Sequence, residues 1–520
     1  MAMRWRSALV AGLGVLLSVG QIAAAERPDA TSLAAEIDRL ILEKLKTTGV
    51  SASPLADDAT FFRRLNLAIA GRIPVPSEVR AFLADKAPDK RARAVDRLLA
   101  SPAYVNHMTV SWNGWLLPEA ATDPAVANAA VGFKVWLRSR IRENASFDRL
   151  TSELLTYPLN GRALADQPAG DGGTDAANGP LAFYTAKEGK PENLAAATAR
   201  VFLGVHLECA QCHNHPFARW SRDQFWGMAA FFGGIEKTDG GTLREIQGKR
   251  ELLIPNSFRA VPATMLDDRE PEWQYKKSPR ATLAAWVTAP DNPFFSKAIV
   301  NRLWWMLFGV GLVDPVDDFH DQNPASHPEL LDTLARAFVQ SGFDTKFILR
   351  AICQSQAFGR SSAIADSAAA NVRLYAHFPM QGLSPEQIYD SLMVLFGERT
   401  ETRGDDGQRR QFLEAFAVSG RQTESPTTIL QALTLMNSKQ VGAATDGQSS
   451  RLLGGVLKLP GLTPTERIEA IYFAVLSRPP RKAELDQTLA HVKGCTDGTD
   501  KAHADVLWAL LNGIEFRTNH

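Results

Sequence analysis

Two thiols and an imidazole stand together in Glu208-Cys209-Ala210-Gln211-Cys212-His213. The spacing C-x-x-C-H is the attachment signature for c-type haem. Two thiols one turn apart add to the porphyrin vinyl groups, and the adjacent histidine reaches the iron as proximal ligand. Haem c is therefore expected on Cys209, Cys212 and His213. His215 lies two residues beyond His213, too close for the chain to pass round the porphyrin edge to the opposite face. Met228 is the expected cofactor ligand there, with Met265, His107 or a water as the other choices. A methionine would raise the potential and suit electron transfer, whereas an open position would suit small-ligand binding or peroxide chemistry.

The same residues admit two other readings. Zinc or another transition metal could sit among Cys209, Cys212, His213 and His215, with His213 and His215 as the imidazole ligands. Against this, four ligands within seven residues crowd a tetrahedron, and there is no second C-x-x-C. The pair could also be a disulfide or thiol pair stabilising a tight loop, with the histidines hydrogen-bonded. Haem attachment does not need the tail Asn214-His215-Pro216-Phe217, which keeps both alternatives open. Cys353 and Cys495 stand alone and read as buried thiols.

A second constellation is Asp314, Asp317, Asp318, His320, Asp321 and His327, in one loop between two apolar helices. Carboxylates and imidazoles there could form a cation site or an acid–base set. The spacing is not that of a calcium hand, and a solvated loop with Asp317 or Ser326 capping its neighbours is the plainer account. Trp304-Trp305, and Trp220 with Phe225-Trp226, could line a pocket, although aromatics at helical spacing more often form core. No G-x-S-x-G, Walker loop, dinucleotide fingerprint or H-E-x-x-H occurs, which weakens hydrolase, nucleotide and zincin readings.

The chain around these residues has 520 positions, 45% hydrophobic and 22% charged, enough for two to four globular domains. Residues 1–25 place two arginines before an apolar run, Ala8–Val19, followed by Ala23-Ala24-Ala25. That is a secretory signal with an A-x-A site, and the run is shorter than the roughly 20 residues of a spanning helix. Without Arg4 and Arg6, Lys+Arg falls from 57 to 55 against 57 Asp+Glu, a net charge of −2. No basic field exists to hold nucleic acid. A periplasmic or secreted protein is expected, with no membrane span after cleavage and with a redox partner protein outside the cytoplasm. Haem attachment also takes place outside the cytoplasm, so signal and motif agree.

Helical punctuation dominates. Thr31–Thr47 stops at Gly49 and Asp57–Ala70 at Gly71, while Ser77 and Ser101 read as N-caps of Glu78–Ala84 and Ala103–Leu116. Val131–Leu155 is amphipathic, and residues 161–180 form a glycine-rich loop. Asn193 caps a small-residue helix, Leu194–Leu207, that delivers the chain to Cys209, and Gln224–Phe232 follows. Residues 236–270 suggest two short strands. Helices are then expected at Ala281–Thr288, Pro293–Leu307, Pro328–Ser341, Thr345–Gln356, Pro385–Phe396, Thr427–Ser438, Pro464–Leu476, Lys482–Val492 and Ala502–Phe516. Ser326-His327-Pro328-Glu329 and Thr463-Pro464-Thr465-Glu466 have the form of capping boxes. The expected fold is mainly α: a signal over 1–25, a helical domain with the motif over 26–235, a linker or small β insert over 236–275, and a second helical domain over 276–520.

The chain resembles the paired exported domains of planctomycetes and relatives, domain-of-unknown-function families 1549 and 1553, also described as cytochrome-associated. The first is carried by Ile37-Asp38-Arg39-Leu40, Phe62-Arg63-Arg64-Leu65 with Gly71-Arg72-Ile73-Pro74, Leu98-Leu99-Ala100-Ser101-Pro102-Ala103-Tyr104, and above all the run Phe202–Phe217 around the motif. The second is carried by Asn292-Pro293-Phe294-Phe295, Val300-Asn301-Arg302-Leu303-Trp304, Phe308–Phe319, Ser326–Leu331, Leu435-Met436-Asn437-Ser438 and Ser477-Arg478-Pro479-Pro480. Some relatives carry a separate cytochrome c domain ahead of these two. Here the signal gives way directly to Thr31–Thr47, so any haem is expected at Cys209 and Cys212 themselves. The resemblance brings no established activity. The expected function is an exported c-type haem-binding protein with a redox or electron-transfer accessory role. The alternatives are a non-redox extracytoplasmic scaffold or binding protein, with or without metal at the same cluster, and an enzyme using the aspartate-rich loop.

Overall fold

The structure, a computed structural model, describes residues 29–160, 179–255, 257–364, 367–396, 407–416, 435–438, 441–442, 445 and 450–520. The signal expected over residues 1–25, nearly all of the loop expected at 161–180 and most of the helix expected at Thr427–Ser438 lie outside the described residues.

Caps set the first helices. Asp29 and Asp57 accept the backbone N–H groups of Ser32 and Thr60 at the starts of α1 (Ala30–Thr48) and α2 (Asp58–Ala70). Both helices end on a left-handed glycine, Gly49 and Gly71. Next come α3 (Pro76–Ala84), α4 (Lys90–Leu99), α5 (Pro102–Leu116), α6 (Pro124–Arg142), α7 (Phe147–Leu155), α8 (Leu181–Ala186), α9 (Pro191–Thr198) and α10 (Arg222–Ala230). Ser101 caps α5 as expected, whereas α3 begins at Pro76 and leaves Ser77 inside its first turn. Asn193 is likewise inside α9, donating its amide to the Lys187 carbonyl 3.3 Å away. A proline at the first helical position replaces the side-chain cap in each case.

The insert holds two antiparallel hairpins rather than one pair of strands. β1 (Ile235–Lys237) pairs with β2 (Leu243–Glu245), and β3 (Glu251–Leu253) with β4 (Ala260–Pro262). The second helical stretch runs through α11 (Pro279–Val287), α12 (Phe295–Phe308), α13 (Pro328–Gln340), α14 (Thr345–Gln354), α15 (Gln356–Gly359), α16 (Pro385–Phe396), α17 (Gly407–Phe416), α18 (Arg451–Lys458), α19 (Pro464–Leu476), α20 (Lys482–Gly494) and α21 (Thr499–Asn512). A last two-residue pair joins β5 (Gln381–Gly382) to β6 (Thr518–Asn519). The capping box at Thr463 forms with both halves in place. The one expected at Ser326 does not, because the Ser326 hydroxyl lies 3.1 Å from Nδ1 of His327 instead.

One continuous apolar core runs from Ala30 to Phe378, so α11–α15 share it with the first ten helices. A second core gathers residues from Leu383 to Phe516 around Leu67 and Ile73. Buried charges tie these layers together. Asp38 of α1 accepts the N–H groups of Gln356 and Ala357 at 2.9 and 3.1 Å, capping α15. Arg280, only 2% exposed, donates to Glu245, to the Tyr184 hydroxyl and to the carbonyls of Leu155 and Tyr157. Arg63 donates to the carbonyls of Val475, Glu515 and Phe516.

Two contacts generate tests. Beyond α9 the helix widens into a π turn, Ala199–Leu203, which ends at Gly204 with φ +67°. The Phe319 N–H donates to the Gly204 carbonyl at 2.9 Å, and the Phe319 ring lies 2.7 Å from where a Gly204 Cβ would be. Gly204→Ala should therefore cost the roughly 1–2 kcal/mol of a left-handed alanine plus a steric increment. Gly49→Ala has φ +69° with nothing within 4 Å and should cost the conformational part alone. Equal losses in urea unfolding would show that the Phe319 contact contributes nothing.

At the far end, Arg478 grips Glu484 at 2.7 and 2.9 Å and Glu515 at 2.6 Å, joining α19, α20 and the C-terminal turn. The Arg478 hydrogen bond draws the Glu484 carboxyl down to about 2. A carboxyl depressed by folding stabilises fully above its ordinary value and loses that stabilisation as pH falls through the folded one. Arg478→Met should lower stability by about 1–3 kcal/mol at pH 7 and by clearly less at pH 3. A difference that is unchanged between the two pH values would mean that packing, not charge, is what the substitution removes.

Candidate functional site at the C-x-x-C-H loop

The motif stands where a buried helix gives way to a surface turn. After Gly204 the chain is anchored by Val205 and Leu207, both fully buried, and a 3₁₀ turn, Glu208–Ala210, buries Ala210 while leaving Cys209 and Cys212 exposed. Both cysteines are free thiols. Helix α10 supports the loop from below, with the Trp226 indole N–H donating to the Gln211 carbonyl at 3.0 Å. The His215 N–H donates to the Trp220 carbonyl at 2.8 Å, and the Arg222 N–H to the Asn214 side-chain oxygen at 3.0 Å, closing the stretch behind the motif.

The two nearby imidazoles are held in opposite states. Nδ1 of His213 is 2.7 Å from the Asn214 carbonyl. A carbonyl can only accept, so Nδ1 carries the proton, and in the neutral ring Nε2 keeps its lone pair. In His215, Nδ1 instead accepts the N–H groups of Phe217 and Ala218 at 3.2 and 2.9 Å. Its neutral ring therefore carries the proton on Nε2. Burial holds His215 below the usual imidazole range, opposed by Asp318 and reinforced by His320, His206 and His213.

The aspartate-rich loop faces the same place. Between α12 and α13 the chain docks through Phe319 on Gly204. This brings Asp318 and His320 near enough for their charges to act on His215. Nε2 of His320 lies 3.5 Å from the Asp318 carboxylate, and its Nδ1 accepts the Gln322 N–H at 3.2 Å. On the motif side, Nε2 of His206 lies 3.7 Å from Glu208, which is 3.5 Å from Arg200. Two constellations that are about a hundred residues apart in sequence thus form one surface, with His206 as an additional member.

Other residues singled out in the sequence lie elsewhere. Met228 is fully buried in α10, and Met265 is also core. His107 is packed beneath Gly71, with its Nδ1 2.3 Å from where a Cβ would be. His327 is buried, with its ring 5.5 Å from that of Tyr375. Trp304 stacks on Phe308 in the core. Asp314 accepts the Gly311 N–H at 3.4 Å within its own turn. Among the described residues, no three His, Cys, Asp or Glu side chains gather into a group that could hold a metal ion. Cys209 and Cys212 are exposed free thiols, and His213 follows them directly in the chain.

Residues 36–237 match the family model described as PSCyt2, a protein of unknown function (DUF1549), and residues 279–425 match PSD1, a protein of unknown function (DUF1553). No curated protein and no solved structure matches the chain. The first match contains the whole C-x-x-C-H loop, and the second contains the aspartate-rich loop that lies against it. The chain is thus similar to the PSCyt2 family over the part that carries the motif and to the PSD1 family over the part that folds onto it.

Proposed function

We propose that the protein is an exported c-type haem-binding protein with a redox accessory role. One observation carries this reading: His213 follows directly on two free, exposed thiols, and its Nδ1 lies 2.7 Å from the Asn214 carbonyl, which in the neutral ring leaves the Nε2 lone pair free. Cys209 and Cys212 would form the two thioethers, and His213 would be the axial ligand. The Asn214 carbonyl would orient the ring and raise its basicity, as outer-shell acceptors do for metal-bound histidines. Haem bound there would supply one-electron chemistry. The exposure of the loop suits access by a partner protein outside the cytoplasm. Met228 is fully buried in α10 and would have to leave the core to help hold the haem, so it is not assigned that role. A bare zinc or other transition metal is less well supported, because the Nδ1 lone pair of His215 is already engaged by two backbone N–H groups.

The test is expression in a host with haem-maturation machinery, followed by denaturation and acid–acetone extraction. The haem spectrum should remain with the wild-type polypeptide and be absent from the C209A/C212A double variant. His213→Ala should retain the colour through the thioethers while shifting the iron spectrum. Loss of all colour from the wild type on extraction would sink the haem reading. Stoichiometric zinc that disappears in His215→Ala would favour the metal alternative.

A further inference from the structure

Beside the motif's tail, where Arg219 and Trp220 meet the loop before α13, lies a cavity of about 290 Å³. Phe294 and Trp220, with ring centroids 6.0 Å apart, line it together with Phe319. The charges around it are unevenly used. Lys297 is neutralised by Asp332 at 2.6 Å. Arg219 is exposed, lies 5.1 Å over the Trp220 ring and makes no ion pair among the described residues. Asp321 and Asp332 also border the space. The volume is at the small end of ligand pockets, about 300–1,000 Å³. It suits a small molecule rather than a polymer segment.

We infer that this cavity binds a small monocarboxylate with a flat apolar body, its head on the Arg219 guanidinium and its body against Trp220, Phe294 and Phe319. Guanidinium and carboxylate pair through two parallel hydrogen bonds, a geometry that a lysine could not reproduce. A single unpaired cation matches a single negative charge. A phosphate dianion would carry a second charge towards Asp321 and Asp332, which disfavours it. The aromatic wall provides the stacking surface for the body. None of the residues that define this site are C-x-x-C-H residues, although Phe319 and His320, which line it, belong to the loop that docks beside the motif.

The probe is phenylacetate, with its neutral amide, phenylacetamide, as the matched control, each titrated into the full-length purified protein and followed by saturation-transfer NMR. Phenylacetate should bind at least tenfold more tightly than phenylacetamide, and added salt should narrow the gap. Arg219→Gln should abolish the preference, and Arg219→Lys should retain only part of it. Arg219 is exposed, so these variants keep the fold, and unchanged far-UV spectra and melting will verify that. Equal binding of acid and amide, binding unaffected by Arg219→Gln, or no saturation transfer from phenylacetate would each overturn the inference. Measured with and without covalent haem, the result separates failure here from failure of the haem reading.

Discussion

The seating of the Phe319 ring on Gly204 is the contact on which the site depends. A left-handed glycine without a side chain ends the π turn that leads into the motif, and the vacant space admits an aromatic residue from a distant part of the chain. The backbone hydrogen bond between the same two residues fixes the register of that approach. Without it, nothing shown would hold the loop of Asp318 and His320 near the motif, and the cavity beside Trp220 would lose Phe319. The surface chemistry of both loops therefore rests on one residue having no Cβ.

Local signals are legible in the sequence where the chemistry is local. Ser101 and Thr463 cap as expected, because a capping oxygen meets an N–H three residues away; Asp29 and Asp57 cap by the same chemistry without having been singled out. Asn193 and Ser326 have the same composition but do not cap. A proline already satisfies the first position, and the side chains find the Lys187 carbonyl and His327 instead. The insert shows only half of its strands to pattern reading, since three-residue strands carry too little alternation to register. The mainly helical class was legible throughout, because period and punctuation repeat along the chain.

The site itself was legible only in part. Cysteine spacing singles out the two thiols and the adjacent His213, but it says nothing of which ring nitrogen carries the proton in His213 or His215. Backbone geometry separates them: a carbonyl beside one and two amide hydrogens beside the other fix opposite protons. Nothing in the local pattern pairs Gly204 with Phe319 or places His206 and His320 around one loop. Such pairings arise from tertiary packing, which a one-dimensional pattern does not encode. The tryptophans divide in the same way, with Trp304 in the core and Trp220 at a cavity.

The core that continues from Ala30 to Phe378 disregards the boundary between the two family matches. Asp38 and Arg280 sew across it with buried charge, and each would be stranded without its distant partner. Recombination that separated the two segments would leave each with a raw apolar flank. The stretch between the two matches is therefore a place where cutting the chain would expose both faces of one shared core.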